Sequence, residues 1–537
     1  MRQCLLKIAA ALTVISVAIP AQGPRANCCF VSGKVVDHST RQPLARVAVT
    51  LNPVDNPQNE LAVITGPDGS FSFVNLIPGK YRLAAQRGPE GVQVYGMYEG
   101  AFTAIVVGPE KKSTDIVFPL ERSASLSGTV NDENGDPVPN ATVILLRRGV
   151  VSGKVTVNGG GSAPTNSSGS FRIAHVKAGT YFIAVQGRPW YAEVVPRVPG
   201  NPNTGIADSQ LDVAYPVTYY GDTTDPQAAT PVTLEDGQSA NLHFVLHAVA
   251  AAHIKISLPT AADNDHSLNA SLAVEGPGGV PIAYPGQSFA MVNDFELAGV
   301  APGRYVLTTH RVGRGPFQQL SSEKVDLVDG VSIEARDSRI VSVSGRITFG
   351  GSAIPARAAV ILAGEMQRWF RALVREDGSF SLDNPIAPGR YDLRLAAGPT
   401  AYYFKSVSGT GARFTGDSLE ILGNGAVQLS IAAGFTNEKV EGVVVNNNGD
   451  AVPAAMVLLL PADSTRPDLI RRDQSDSDGT FAMNNVAPGA YTLLAITDGQ
   501  DLAYRDPDVM KPYFEHAQSI EVPVKSQFKL EVINRLP

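Results

Sequence analysis

Ser32-Gly33-Lys34-Val35, Gly66-Pro67-Asp68-Gly69-Ser70-Phe71 and Ile77-Pro78-Gly79-Lys80-Tyr81 decide the fold of this chain. The first opens an apolar strand on a glycine, the second is a tight polar turn, and the third is another turn that ends on tyrosine. Asp-Gly between apolar segments supplies the positive φ that a tight hairpin demands. After each turn the apolar residues alternate, Phe71 with Phe73 and Tyr81 with Leu83 and Ala85. A period of two buries one face of a strand.

The same cassette recurs along the chain. A second copy reads Ser127-Gly128-Thr129-Val130, Ser168-Gly169-Ser170-Phe171 and Lys177-Ala178-Gly179-Thr180-Tyr181. A fourth reads Ser344-Gly345-Arg346-Ile347, Asp377-Gly378-Ser379-Phe380 and Ala387-Pro388-Gly389-Arg390-Tyr391, and a fifth Glu441-Gly442-Val443-Val444, Asp478-Gly479-Thr480-Phe481 and Ala487-Pro488-Gly489-Ala490-Tyr491. The third keeps Ala301-Pro302-Gly303-Arg304-Tyr305 but has lost the glycine of its opening near His253 to Ile256. The closing tyrosines stand 100, 124, 86 and 100 residues apart, which makes each repeat a whole domain rather than a solenoid unit. A length of 537 residues, at roughly 100–150 per domain, also predicts four or five domains. The fold expected is all-β: about five tandem Ig-like or transthyretin-like antiparallel β-sandwiches, over 31–123, 124–249 (with a loop insertion), 250–340 (degenerate), 341–437 and 438–537. Helix is confined to one turn starting at Asp506-Pro507, with Asp as cap, and Pro512 is expected to stop it.

The pattern Ser-Gly-x-Val, Asp-Gly-x-Phe, Pro-Gly-x-Tyr resembles the carboxypeptidase regulatory-like domain family, and the related collagen-adhesin B-type repeats share it. Tyr215 to Asp222 and Asp506 to Pro512 also resemble segments of multi-repeat members. The resemblance covers nearly the whole chain after the first 30 residues, weakly in the third copy. It implies a carbohydrate-binding-like fold in an exported bacterial protein, and no reaction.

Residues 1–23 read as a secretory signal: Arg2 and Lys7 precede an uncharged stretch from Ile8 to Ala21, followed by the small-x-small triplet Ala21-Gln22-Gly23. That stretch is shorter than the roughly 20 residues of a membrane span. Cleavage would take the formal charge from −7 to −9 and leave no later segment apolar enough to cross a membrane. The expectation is a secreted, periplasmic or cell-envelope protein. Of the three cysteines, Cys4 leaves with the signal, and Cys28 and Cys29 are adjacent. Neighbouring Cα atoms, about 3.8 Å apart, lie below the ~4.4–6.8 Å of ordinary disulfides. Incidental thiols on a frayed terminus are therefore expected, since Asn27 and Arg25 suit a lipidated Cys28 poorly.

Composition and motifs exclude most chemistry. With 44 Lys+Arg against 51 Asp+Glu there is no basic field for nucleic acid. None of the eight histidines is followed by Glu at zinc-peptidase spacing; His243 and His247 lie on what reads as one face of a strand. No Gly-x-Ser-x-Gly occurs, and Gly33-Lys34 and Gly153-Lys154 lack the upstream glycine of a phosphate loop. Asp473, Asp476 and Asp478 resemble half a calcium loop, but Gln474 holds the first ligand position and Asn485 the place of the bidentate Glu, so a polar hairpin loop is expected. Lys34 lies where related adhesin repeats carry an isopeptide lysine, yet Thr129, Arg346 and Val443 replace it in other copies. No catalytic residue, metal or cofactor is expected.

Candidate ligand surfaces are aromatic pairs. Sugars present C–H faces that stack on flat rings, and a pair of neighbouring aromatics on a strand points one ring inward and one outward. Trp190, Tyr191, Trp369, Tyr402 and Tyr403 are the carbohydrate-contact candidates; Phe370, Tyr219-Tyr220 and Tyr513-Phe514 belong to similar pairs, and any of them can instead fill cores or seal domain contacts. Trp190 leads because it precedes the Pro/Gly/Asn-rich stretch Pro196 to Asp208. The function expected is a non-enzymatic binding protein that engages carbohydrate or a cell-surface or cell-wall partner. The alternative is a structural spacer or assembly scaffold of the cell envelope that meets a protein partner.

Overall fold

The computed structural model of the chain describes residues 29–536 except 89, 110, 112, 194–209, 258–265, 291–293, 314–317, 329–331, 335–340, 352, 365–368, 398–401, 417, 424 and 524–526. Among the described residues the principal sheets come in five facing pairs, one pair per cassette. Each opening strand sits inside its sheet: Cys29–Asp37, Ala124–Asp132, Ala252–Ser257, Val343–Thr348 and Lys439–Val445. On one side it pairs antiparallel with the strand that follows the tight turn, Ser70–Leu76 in the first sandwich and Ser170–Val176 in the second. On its other side runs a late strand of the same sandwich, and that pairing is parallel in all five: Ile116–Leu120, Ser239–Leu246, Ser332–Glu334, Val427–Phe435 and Phe528–Glu531.

The cassette residues have separate physical jobs. A Cβ on Gly33, Gly128, Gly345 or Gly442 would stand 2.0–2.2 Å from a carbonyl oxygen of the parallel strand, so only glycine lets that strand close onto the ladder. Gly69, Gly169, Gly378 and Gly479 hold φ between +69° and +82° in the hairpin turns. Each closing tyrosine is buried and donates its hydroxyl to the carbonyl four residues earlier: Tyr81 to Ile77 (2.8 Å), Tyr181 to Lys177 (2.7 Å), Tyr305 to Ala301 (2.6 Å), Tyr391 to Ala387 (2.7 Å) and Tyr491 to Ala487 (2.8 Å). The third sandwich is thus intact at this corner. In its opening strand the register puts Ile256, fully buried, where the other copies have glycine. Tyr181→Phe should cost about 1 kcal/mol, the net worth of one hydrogen bond, read as a roughly fivefold rise in hydrogen exchange across Gly179–Gln186.

Three expectations change. Cys29 is disulfide-bonded and buried at the start of the first strand, where it pairs with Leu76, so the frayed thiol expected at this position is incorrect; its partner lies outside the described residues. The α-helix Pro507–Met510, capped by Asp506, ends before Pro512 as expected, but helical structure does not end with it: a 3-10 turn follows over Lys511–His516, because proline is tolerated where a new turn begins. The strand Ser239–Leu246 ends before His247, so the His243–His247 pair does not share a strand; His243 Nδ1 lies 2.9 Å from Thr129 Oγ1.

The sandwiches are not joined alike. The second and third share one apolar cluster, in which Leu146, Ala184, Val217 and Tyr219 pack with Ile254, Tyr284, Val300 and Tyr305. Tyr284 donates to the Tyr215 carbonyl at 2.8 Å and accepts from the Ala301 N–H at 3.0 Å; burial pushes its hydroxyl pKa up to about 12. In the fifth sandwich the strand Met456–Pro461 is buried on both faces: Val457 and Leu459 face the core, while Met456 and Leu458 are covered by Leu502, Tyr504, Met510 and Tyr513. The helical turn exists to roof that second face.

Candidate functional site

The chain's two tryptophans are both at the surface, Trp190 with 74% of its area exposed and Trp369 with 57%. Trp369 lies on the edge strand Trp369–Leu373 of the fourth sandwich, and the alternation turns Phe370 inward against Tyr391 (5.9 Å, edge-on) while Trp369 turns outward. The Arg394 guanidinium stands 4.8 Å from the Trp369 ring centroid, in range of a cation–π contact. Trp190 has a different setting: it sits in a turn after Gly179–Gln186, edge-on to the half-buried Tyr191 ring at 5.7 Å. The stretch Pro196 to Asp208 lies outside the described residues.

The other pairs are largely absorbed into cores. Tyr402 is half-buried between Phe349 (5.0 Å) and Phe435 (5.7 Å). Tyr403, also half-buried, lies over Gly434, where a Cβ would come within 2.6 Å of its ring. Tyr219 and Tyr220 face different clusters: the first is fully buried between the second and third sandwiches, the second packs on Phe244 at 5.9 Å. Tyr513 is buried with its hydroxyl accepting from the Leu536 N–H at 3.0 Å, and Phe514 points outward. The five candidates are therefore not gathered into one site. Trp190-Tyr191 belongs to the second sandwich, and Trp369, Tyr402 and Tyr403 are spread over both sheets of the fourth.

The aspartates of the fifth turn are engaged by protein groups. Asp473 Oδ2 accepts from the Ala482 N–H at 2.8 Å. Asp476 Oδ2 pairs with Lys80 Nζ at 2.5 Å, and its Oδ1 accepts from the Ala104 N–H at 3.0 Å. Asp478 pairs with Lys111 at 2.7 Å and accepts from the Thr480 hydroxyl at 2.6 Å. Burial pushes the Asp473 and Asp476 carboxyls above the usual carboxylate range. Burial also acts upward on Asp478, but Lys111 and Thr480 together hold it below that range. Lys80, Ala104 and Lys111 belong to the first sandwich, so this turn is an interdomain contact.

Sequence reasoning also missed a buried cluster at the junction of the second and third sandwiches. His253 Nε2 lies 2.8 Å from Asp212 Oδ2 and its Nδ1 2.6 Å from Glu296 Oε1, with all three side chains almost wholly buried. Burial gives this group no approach for a substrate, and it ties residues before and after the junction together. Nothing in the sequence marks it, because its members are some 40 residues apart and follow no spacing rule.

Comparison with known proteins supports the repeat reading. Residues 125–214 match the carboxypeptidase regulatory-like domain, and residues 29–89 match the BOS complex subunit NOMO1-like, second beta sandwich domain. No curated protein matches the chain. Among solved structures, a streptococcal ancillary pilin aligns at 10% identity over 53% of this chain and 99% of its own, TM-score 0.18. The Bacillus anthracis TIE protein aligns at 11% over 94% and 72%, TM-score 0.17, and the Streptococcus agalactiae minor pilin GBS52 at 14% over 43% and 98%, TM-score 0.20. Alignments at such scores fix no relation of shape. The repeated cassette and its five facing sheet pairs identify the chain as a tandem all-β protein, of which residues 125–214 are similar to the carboxypeptidase regulatory-like domain and residues 29–89 to the NOMO1-like beta sandwich domain.

Proposed function

We propose that the chain is an exported, non-enzymatic binding protein whose two exposed indoles contact carbohydrate, Trp190-Tyr191 on the second sandwich and Trp369 on the fourth. One observation carries this reading: the chain's only two tryptophans lie outside its cores, while most of its other large rings fill them. An indole left in water forgoes burial worth about 2–3 kcal/mol, so its exposure favours a surface that a ligand covers. Flat rings stack on the C–H faces of sugars, and Arg394 beside Trp369 adds a donor for hydroxyl or carboxylate substituents. A second reading, a structural scaffold of the cell envelope, is favoured by the contact of the fifth sandwich with the first.

The test is a glycan array and peptidoglycan pull-down with residues 24–537. Trp190→Ala or Trp369→Ala should weaken saturable binding about tenfold, the loss of about 1.4 kcal/mol of ring contact, with the melting curve unchanged. Binding that survives both substitutions would remove the indoles from the site. No glycan binding by a folded, monodisperse chain would leave the scaffold reading.

A further inference from the structure

Four turns in the chain are equivalent by their place in the cassette, and three of them act locally. Asp68 and Asp377 each accept from the backbone N–H and hydroxyl of the serine two residues on, and Asn166 does the same work in the second sandwich. Asp68 and Asp377 keep 60% of their side-chain area in water, beside Lys34 and Arg346 of their own domains. The fifth turn has the same internal geometry, with Asp478 bonded to Thr480, yet the Asp478 side chain is only 13% exposed. It also carries an acid at Asp476, where the others have Gly66, Asn166 and Arg375.

What buries it is the first sandwich. The Ser477 N–H donates to the Ala104 carbonyl at 2.9 Å, the Val106 N–H donates to Ser477 Oγ at 2.8 Å, and the Ala104 N–H donates to Asp476 Oδ1. The turn thus engages the backbone at the start of the strand Ile105–Val107, flanked by Lys80 on Asp476 and Lys111 on Asp478. Beside it, Gln474 Nε2 reaches Thr103 Oγ1 at 2.9 Å, and Arg472 stacks 4.8 Å from the Tyr98 ring centroid and donates to the Tyr98 carbonyl at 3.2 Å. The second sandwich joins the same corner: Tyr98 donates to the Val150 carbonyl at 3.1 Å, and the Arg505 N–H donates to the Gly153 carbonyl at 3.0 Å.

We propose that the turn Asp476-Ser477-Asp478 is a latch that closes the five-domain chain on itself, by docking the last sandwich on Lys80, Lys111 and the Ala104–Val106 backbone of the first. The chemistry of the contact makes it a latch rather than a weld. The second and third sandwiches share an apolar cluster, whereas the clusters of the first and fifth contain no residue of each other. A contact built from ion pairs and polar hydrogen bonds has a small net free energy, because each group exchanges protein partners for water on opening. Its closure is favoured by the covalent tether, which holds the two faces at high effective concentration.

Small-angle scattering on residues 24–537 tests the latch directly. The unmodified chain should be compact, and Asp476→Lys with Asp478→Lys should lengthen its largest dimension by about 30 Å, one nine-residue strand length, with circular dichroism unchanged. Asp68→Lys, at the equivalent turn of the first sandwich, should leave the dimensions as they are. Ala104→Cys with Ser477→Cys should form a disulfide within one molecule under oxidising conditions. If the Asp476 and Asp478 variant loses its β-signal, Lys80→Glu with Lys111→Glu, on the opposite face, decides by the same expansion. An unmodified chain already as long as the charge-reversed one, or a cysteine pair that stays reduced or links only two molecules, overturns the proposal.

Discussion

Gly128→Ala should destabilise the second sandwich by about 3 kcal/mol, at the upper end of what overpacking costs, although it adds one methyl group. The ideal Cβ would stand 2.0 Å from the Leu242 carbonyl oxygen and 2.8 Å from the Phe171 ring. The phenylalanine can turn, but Leu242 cannot retreat, because it belongs to the parallel strand that pairs with Ala124–Asp132 over eight residues. Moving it breaks that ladder. In a chain of several sandwiches a global midpoint mixes their transitions, so the measurement is site-resolved hydrogen exchange. Amides of Ala124–Asp132 and Ser239–Leu246 should exchange about 100-fold faster, and those of the fifth sandwich at their original rate. Equal exchange in all strands would mean that the two strands do not approach this closely.

Ile256→Gly should also destabilise its sandwich, by about 4 kcal/mol, even though it restores the residue found at that point in the other four copies. Ile256 is fully buried in the cluster shared by the second and third sandwiches, so its removal leaves a cavity, which costs about 2–5 kcal/mol for a large aliphatic residue, and adds the backbone freedom of glycine. Ile256→Val should cost only about 1 kcal/mol. The pair of substitutions separates two ways of using one position. In the first sandwich, where a Cβ on Gly33 would meet the Ile116 carbonyl, glycine is needed for its absent side chain; in the third, Ile256 fills space in the cluster shared with the second. Exchange of amides in Ala252–Ser257 reports the result, and a neutral Ile256→Gly would show that the third sandwich keeps the geometry of its neighbours.

The fold was legible because its signals are local. Asp377-Gly378, Phe380 and Tyr391 lie within a few residues of the turns they specify, and period-two burial follows from each. The inward and outward turn of Phe370 and Trp369 followed from the same rule once the residues were on a strand. The parallel pairing was not legible, since it joins Gly33 to Ile116 across a whole domain and no local spacing encodes it. Neither was the engagement of Asp476 with Lys80, which are 396 residues apart: the sequence shows three aspartates near a hairpin, and a solvated loop, a calcium loop and a docking turn all share that composition. The sequence marks Trp190 by the Pro/Gly/Asn-rich stretch after it; its exposure and the Tyr191 ring beside it are legible only in the structure.

The parallel alignment of an early and a late strand in every sandwich sets how these domains carry a pulling force. The chain enters each domain near one end of the opening strand and leaves near the opposite end of its parallel neighbour, so tension along the polypeptide slides the two strands past each other. All the slanted hydrogen bonds of that ladder then share the load together instead of opening one after another from a free end. The second and fourth sandwiches, with ladders of eight and six residue pairs, should hold longer under stretch than the fifth, with four.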